Sequence, residues 1–181
     1  MRLIVLRGIP GSGKSTFAKK ELPKADLVAS ADDGMMEGDK YVFNPAKLPA
    51  AHGACLRAVI EKLQQGVSLE TAILRSQQPE FAGSLRAVPY DPVIVVDNTS
   101  TSVAEIAPYV AVGQAYGAEV VIMTLRIDPK IAGPRNTHGV PQVGVDRMAA
   151  ALDEGTKGLM PWWDHELLIW DGETSRYRPA P

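Results

Sequence analysis

Short uninterrupted apolar runs punctuate this chain: Leu3 to Leu6, Val93 to Val96 and Val120 to Leu125. Each stops abruptly at polar residues or glycine, at Arg7-Gly8, at Asp97-Asn98-Thr99 and at Arg126. Runs of this length without alternation are the pattern of strands buried on both faces of a parallel sheet. Asp26 to Ser30 and Leu167 to Trp170 supply a second strand and a last one. Helical patterns lie between them. Ser15 to Leu22 is helix-compatible until Pro23 stops it. Asn44-Pro45 reads as an N-cap followed by proline in the first turn, and Leu48, Ala51, Cys55, Val59, Ile60 and Leu63 then recur at helical spacing until Gly66. Thr101 or Ser102 caps a further helix reaching Tyr116, with Pro108 bending it or shifting its start, and Pro141 to Leu152 forms another. Alternation of this kind predicts an α/β fold of three layers: a parallel five-stranded sheet with right-handed crossovers and helices on both faces.

Three segments interrupt the regularity. Residues 67–92 hold only a short helical signal at Leu69, Ala72 and Ile73 before a proline-containing stretch, and are expected to form an inserted flap. Residues 128–147, where Gly133-Pro134 and Gly139 bracket Arg135 and His138, are expected to form a mobile lid. Residues 174–181 read as a flexible tail behind a single domain of residues 1–173.

The 181 residues are 45% hydrophobic and 22% charged, which suits one globular domain and excludes fibrous and disordered classes. With 19 Lys plus Arg against 21 Asp plus Glu, the net charge of -2 supplies no global field for polyanions, so bound nucleic acid requires a local basic patch. Cys55 is the one cysteine, which excludes an intrachain disulfide and a cysteine-rich zinc cluster. Its place on the apolar helix face is a core position. The first apolar run is too short for a signal peptide and no run reaches membrane-spanning length, so the cytoplasm is the expected location.

The chemistry begins where the first strand ends. Gly8-Ile9-Pro10-Gly11-Ser12-Gly13-Lys14-Ser15 matches the Walker A spacing G-x-x-x-x-G-K-[ST] between a predicted strand and a predicted helix. Glycines at this spacing let backbone N–H groups turn inward around phosphate oxygens, and the helix N-terminus adds partial positive charge. Gly8, Pro10, Gly11, Ser12, Gly13, Lys14, Ser15 and Thr16 are thus the ATP-binding candidates, with Thr16 either a second phosphate contact or an ordinary helix residue. Lys14 reaches the β- and γ-phosphates, and Ser15 offers its hydroxyl to Mg2+. Asp97, at a strand tip, holds Mg2+ through water or meets the acceptor. Trp162-Trp163 either stack on a base or pack a C-terminal segment onto the sheet.

Further segments extend the pattern. Leu6 to Thr16, Ser30-Ala31-Asp32-Asp33, Tyr41-Val42-Phe43-Asn44-Pro45 with Leu48, Ala51 and His52, Asp97-Asn98-Thr99-Ser100, and Arg135-Asn136-Thr137-His138-Gly139-Val140-Pro141 occur in order across residues 3–148. Together they resemble the polynucleotide-kinase-like P-loop kinases, in the branch typified by the kinase-like domain of Nedd-four-binding protein two and its relatives. The resemblance implies a P-loop NTPase/kinase fold, ATP and Mg2+ as cofactors, and phosphoryl transfer to a hydroxyl. It also implies Asp32 as general base and Arg135 as the lid arginine that steadies the transferring group, beside Lys14 as the third catalytic residue. Asp33, Asn98, Thr99 and His138 are the candidates for contact with the acceptor. Met35 stands where polynucleotide kinases carry an arginine near the substrate phosphate.

The expected activity is therefore an ATP-dependent phosphotransferase acting on a 5′-hydroxyl of a nucleic acid or nucleotide. Two alternatives remain open: a nucleotide-binding switch module acting on a protein partner, and a kinase of a small metabolite.

Overall fold

The computed structural model describes residues 1–76 and 91–180. Its centre is a six-stranded sheet. In chain order the strands are β1 (Arg2–Arg7), β2 (Leu27–Ala29), a separate two-stranded hairpin of β3 (Met36–Glu37) and β4 (Lys40–Tyr41), then β5 (Val93–Asp97), β6 (Glu119–Arg126), β7 (Asp164–Asp171) and β8 (Arg176–Pro179). The helices are α1 (Lys14–Glu21), α2 (Leu48–Ser76), α3 (Val103–Ala115), α4 (Pro129–Arg135) and α5 (Gln142–Lys157). The main sheet runs β2-β5-β1-β6-β7-β8. Its first five strands are parallel, as expected from their apolar runs, and β8 adds an antiparallel edge to β7.

The pleat explains the cores on the two faces of the sheet. Leu3 and Val5 of β1, with Ile94 and Val96 of β5, face Ala51, Cys55, Val59 and Leu63 of α2 and Ile106 and Val110 of α3. Ile4 and Leu6, with Val95, Val121 and Leu125, face Ala18 of α1 and Leu168. All four residues Leu3 to Leu6 are fully buried, so period-two alternation has no polar partner to reveal it. Because β1 lies between β5 and β6, the loop after β1 opens into the crevice beyond the strand ends, where such sheets bind ligands.

Several expectations need correcting. The sheet has six strands rather than five, and the sixth comes from the segment expected to be a flexible tail. Residues 176–179 pair with β7 in the register Asp171↔Arg176, Trp170↔Tyr177, Ile169↔Arg178 and Leu168↔Pro179. The turn between them is fixed by Asp171, which accepts from Glu173 N–H and Thr174 O–H and pairs with Arg178 at 2.7 Å. Hydrogen bonding to its carboxylate holds Asp171 below the ordinary carboxylate range. The long helix does not stop at Gly66 but continues to Ser76. Gly66 is a contact point instead of a terminator: a Cβ there would collide with Met1, with Pro92 close behind. The expected flap at 67–92 thus begins inside α2, and its residues 77–90 lie outside the described residues. Within 128–147, expected as a lid, residues Pro129–Arg135 form α4, capped by Asp128, whose carboxylate accepts from Lys130 N–H at 2.8 Å. Pro108 sits inside α3, which Ser102 and Glu105 start with a capping box. Trp162 is exposed while Trp163 packs on the first core, and neither lines the cleft described below. Among the described residues, no helix is long and apolar enough to cross a membrane.

Candidate functional site

The phosphate loop takes its shape from its glycines. Gly11 and Gly13 have φ of 78° and 85°, in the left-handed region where a side chain is strained. A Cβ on Gly11 would also overlap the Ala132 carbonyl of α4, so the loop and α4 approach as closely as two backbones can. Gly8 N–H donates to Thr99 O at 3.0 Å, which ties the loop to the tip of β5. Helix α1 has no side-chain cap and no acidic residue in its first turn, leaving its N–H groups directed toward the loop.

Lys14 is buried, and its ammonium donates to Gly8 O at 3.0 Å and Ile9 O at 3.4 Å. Burial pulls its pKa down, while the charges of Asp97 and Asp32 pull it back up. A cation held among loop carbonyls, with two carboxylates as counter-charges, is poised to meet phosphate oxygens. Ser12 is fully buried beneath the loop, where its carbonyl accepts from Tyr177 O–H at 2.7 Å.

Asp32 leaves the tip of β2 in a 3-10 turn, Ala31–Met35, whose cap Ser30 accepts from Asp32 N–H at 3.2 Å. Two bonds fasten this turn to β5: Ser30 O–H donates to Asp97 O at 2.9 Å, and Ala31 N–H donates to Asn98 Oδ1 at 2.9 Å. The Asn98 amide in turn donates to Tyr109 Oη at 3.3 Å and Cys55 Sγ at 3.6 Å, and Tyr109 O–H donates to the same sulfur at 3.3 Å. Burial pushes the Cys55 thiol and the Tyr109 phenol up, so both stay protonated. Asn98 is thus a tie between two strand tips whose side-chain amide is engaged from both ends.

The Asp32 carboxylate meets two other segments. Tyr41 O–H donates to Oδ1 at 3.2 Å, and His138 Nε2 lies 3.7 Å from Oδ2. The two rings touch edge to face with centroids 4.4 Å apart. Burial first, then the Asp32 charge, push the Tyr41 phenol up to about 12, so it remains a donor. His138 is presented by a turn built on Asn136, whose side chain donates to Val140 O and accepts from His138 N–H, each at 2.9 Å. Arg135 ends α4 with its guanidinium carbon 4.3 Å from the Trp170 ring centroid.

These pieces enclose a cleft of about 940 Å³. Of the residues expected from sequence, Pro10, Gly11, Gly13, Lys14, Ser15, Thr16, Asp32, Asp97, Asn98, Thr99, Arg135 and His138 line it. Gly8, Ser12 and Asp33 do not, and Asp33 is exposed on the outer side of its turn. Met35, Tyr41, Phe43, His52, Val143 and Arg147 complete the walls, with Phe43 and Val143 strongly exposed. The aromatics of Tyr41-Val42-Phe43 in a polar stretch were the available signal for that wall. Arg7 carried no such signal. It is fully buried at the end of β1 and donates to Ser100 O, Thr101 O, Thr124 Oγ1 and Thr156 Oγ1 at 2.9–3.3 Å. Burial lowers its pKa to about 10, leaving it cationic at neutral pH.

Among the described residues no group of three or more His, Cys, Asp or Glu side chains is arranged to hold a metal ion. Ser15 and Asp97 offer one hydroxyl and one carboxylate on the same cleft, which fits Mg2+, an ion usually held by one or two protein oxygens together with substrate phosphates and water.

The sequence matches the AAA domain family over residues 3–156. NEDD4-binding protein 2 of Homo sapiens is 28% identical over 152 residues, an overlap covering 81% of this chain and 7% of that protein's length. Among solved structures, the native crystal structure of the AvrRxo1-ORF1:-ORF2 complex superposes with a TM-score of 0.59 at 17% identity, covering 99% of this chain and 57% of that one. The same complex with ATP superposes with a TM-score of 0.56 at 15% identity and equal coverage. The shared α/β architecture with its phosphate loop is a P-loop kinase-like fold.

Proposed function

The chain belongs to the AAA domain family, and from that premise we propose that it is an ATP-dependent phosphotransferase acting on a hydroxyl acceptor, with a 5′-hydroxyl of a nucleic acid or nucleotide as the acceptor class. The observation that carries this reading is the convergence on one cleft of a phosphate-loop lysine, Lys14, and a carboxylate from a different strand tip, Asp32. A nucleotide-gated binding module needs the first, whereas taking a proton from an acceptor hydroxyl calls for the second. The human relative's likeness over most of this chain supports the same scaffold.

In this mechanism the loop N–H groups and Lys14 take up the charge of the β- and γ-phosphates, and Ser15 and Asp97 would hold Mg2+, which when bound would supply positive charge against the phosphate oxygens. Asp32 accepts the proton of the acceptor hydroxyl as its oxygen attacks the γ-phosphorus. The bond from that phosphorus to the bridging oxygen breaks, its electrons leave with ADP, and the products are a phosphomonoester and a proton on Asp32. Arg135 steadies charge on the transferring group. Tyr41 and His138 hold Asp32 across the cleft. A second acceptor class, a small metabolite, is favoured by the apolar side chains along the cleft, buried Met35 and exposed Phe43 and Val143.

Transfer of labelled γ-phosphate to 5′-hydroxyl oligonucleotides, nucleosides and sugars tests the reading and separates these acceptors. Asp32→Asn should bind ATP as the wild type does and lose transfer by about two to four orders of magnitude. Wild-type transfer by that variant defeats the assignment of Asp32, and a protein that binds ATP and a partner but labels no acceptor is a switch.

A further inference from the structure

The segment expected to fray reaches the two elements that handle phosphate. Tyr177 of β8 donates its O–H to the carbonyl of Ser12, 165 positions earlier in the chain, at 2.7 Å. Its cross-strand partner Trp170 of β7 lies against the guanidinium of Arg135, 4.3 Å from ring centroid to Cζ. The rings of Trp170 and Tyr177 meet edge to face at 5.3 Å, and Phe17 of α1 closes the row on Tyr177 at 6.2 Å. A continuous line of three rings therefore joins the helix after the phosphate loop to the arginine at the end of α4.

We propose that the β7–β8 hairpin is a positioning device for phosphoryl transfer, in which Trp170 aims Arg135 at the phosphate loop and Tyr177 sets the loop's Ser12–Gly13 peptide. The inference rests on the phosphotransferase reading given above.

The geometry of each contact fits that task. In a trans peptide the C=O and the following N–H point in opposite directions. Holding the Ser12 carbonyl toward Tyr177, outside the cleft, therefore turns the Gly13 N–H the other way, and Gly13 lines the cleft. Burial pushes the Tyr177 phenol up, against the opposing pull of Arg135, so its hydroxyl remains a donor. Arg135 lines the same cleft, with a guanidinium nitrogen 3.5 Å from where a Cβ on Gly13 would stand. Among the described residues no ion pair engages Arg135. An aromatic face fixes a guanidinium without neutralising it, whereas a carboxylate partner would compete with the phosphate for its charge.

Trp170 also packs beside the core formed by Ile9, Ile127 and Ala132, so loss of rate in one variant does not by itself distinguish aiming from folding. A double-mutant cycle does. Single-turnover transfer is measured for wild type, Trp170→Leu, Arg135→Ala and the pair, with thermal melting of each as a folding control. Trp170→Leu should lower the rate about 10-fold, the scale of a partly desolvated cation–π contact, while leaving ATP affinity nearly unchanged. In the Arg135→Ala background the same change should cost nothing further. Trp170→Phe, which keeps a ring, should retain most of the rate. Calorimetric titration with ATP supplies a readout that needs no acceptor: Tyr177→Phe should weaken ATP binding about 5-fold, the worth of one neutral hydrogen bond. Equal losses from Trp170→Leu with and without Arg135 overturn the aiming role, and unaltered ATP affinity in Tyr177→Phe overturns the loop role. If the wild type labels no acceptor, the phosphotransferase reading fails while the titration still decides the loop contact.

Discussion

Asn98 offers the sharpest test of how the site is built, because its position on the cleft invites one role and its hydrogen bonds assign another. The perturbation is Asn98→Ala. In the folded protein Asn98 is only 7% exposed and Ala31 6% exposed, and the Asn98 oxygen is the acceptor for the Ala31 N–H at 2.9 Å. Removing it orphans a buried backbone donor, which costs about 1–3 kcal/mol. The other side of the amide is cheaper to lose, since Tyr109 and Cys55 keep their own bond at 3.3 Å. The vacated space opens onto the cleft, so water replaces part of the lost contact and the cavity penalty stays small. The sum is about 2 kcal/mol, and in a chain of this size each kcal/mol lowers Tm by roughly 2–4 °C.

Thermal melting by circular dichroism should thus show Asn98→Ala melting about 4–8 °C below wild type. Below its transition the variant should bind ATP normally and lose turnover, because the tips bearing Asp32 and Asp97 keep only the Ser30–Asp97 bond of their two side-chain ties, with KM for the acceptor changing much less than kcat. A variant that melts with the wild type and shows a raised acceptor KM at unchanged kcat refutes this reasoning and makes Asn98 an acceptor contact.

Tyr41→Phe removes the O–H donated to Asp32 while keeping the ring against His138, and should slow transfer about 10- to 100-fold at unchanged ATP affinity, since a hydrogen bond to a charged group contributes about 1.5–3 kcal/mol; rapid-quench kinetics showing the wild-type rate count against the clamp on Asp32. Stability should fall with acidification through His165, which shares a 2.8 Å hydrogen bond with Thr124 and whose pKa is held below 6.5 by burial and then by Arg7. The unfolded chain protonates at the ordinary value while the folded protein resists, so the unfolded state binds more protons as pH drops below that value, and stability present above it is progressively lost. His165→Gln should flatten the dependence of Tm on pH between about 7 and 5, and an unchanged slope removes His165 as its source.

The parallel sheet was readable because burial on both faces leaves a strand no polar positions, so Leu3–Leu6 and Val93–Val96 stand out as unbroken runs. The phosphate loop was readable because its chemistry is local: the glycines, Lys14 and Ser15 must be contiguous to fold around one phosphate group. Elements that depend on a distant partner were not. Gly66 carries the signature of a helix end, yet the helix runs through it to Ser76, and the space its missing Cβ leaves is taken by Met1 and Pro92. Asp128-Pro129 carries a helix start, which Gly133-Pro134 four residues on disguised, although fully buried Ala132 anchors α4 against Ile9 and Val145. Strand β8 has no apolar run at all, being an edge strand held by its ladder to β7, by the pair between Arg178 and Asp171, and by Tyr177.

The same division runs through the site. The Walker A spacing and the family resemblance together named the candidates for charge and proton work, and five of them, Lys14, Asp32, Asp97, Arg135 and His138, line one cleft. Spacing is silent on what orients them, because an orienting contact joins residues far apart in the chain. His138 faces Asp32 across 106 positions of sequence. Tyr177 holds a loop that precedes it by 165 positions. Asn98 illustrates the converse: an amide at a strand tip looks the same in sequence whether it contacts an acceptor or spans two strands, and only the position of the Ala31 N–H decides. In a fold whose active groups sit on loops, the local motif specifies the reagents, and the long-range hydrogen bonds and ring contacts set the distances at which those reagents work.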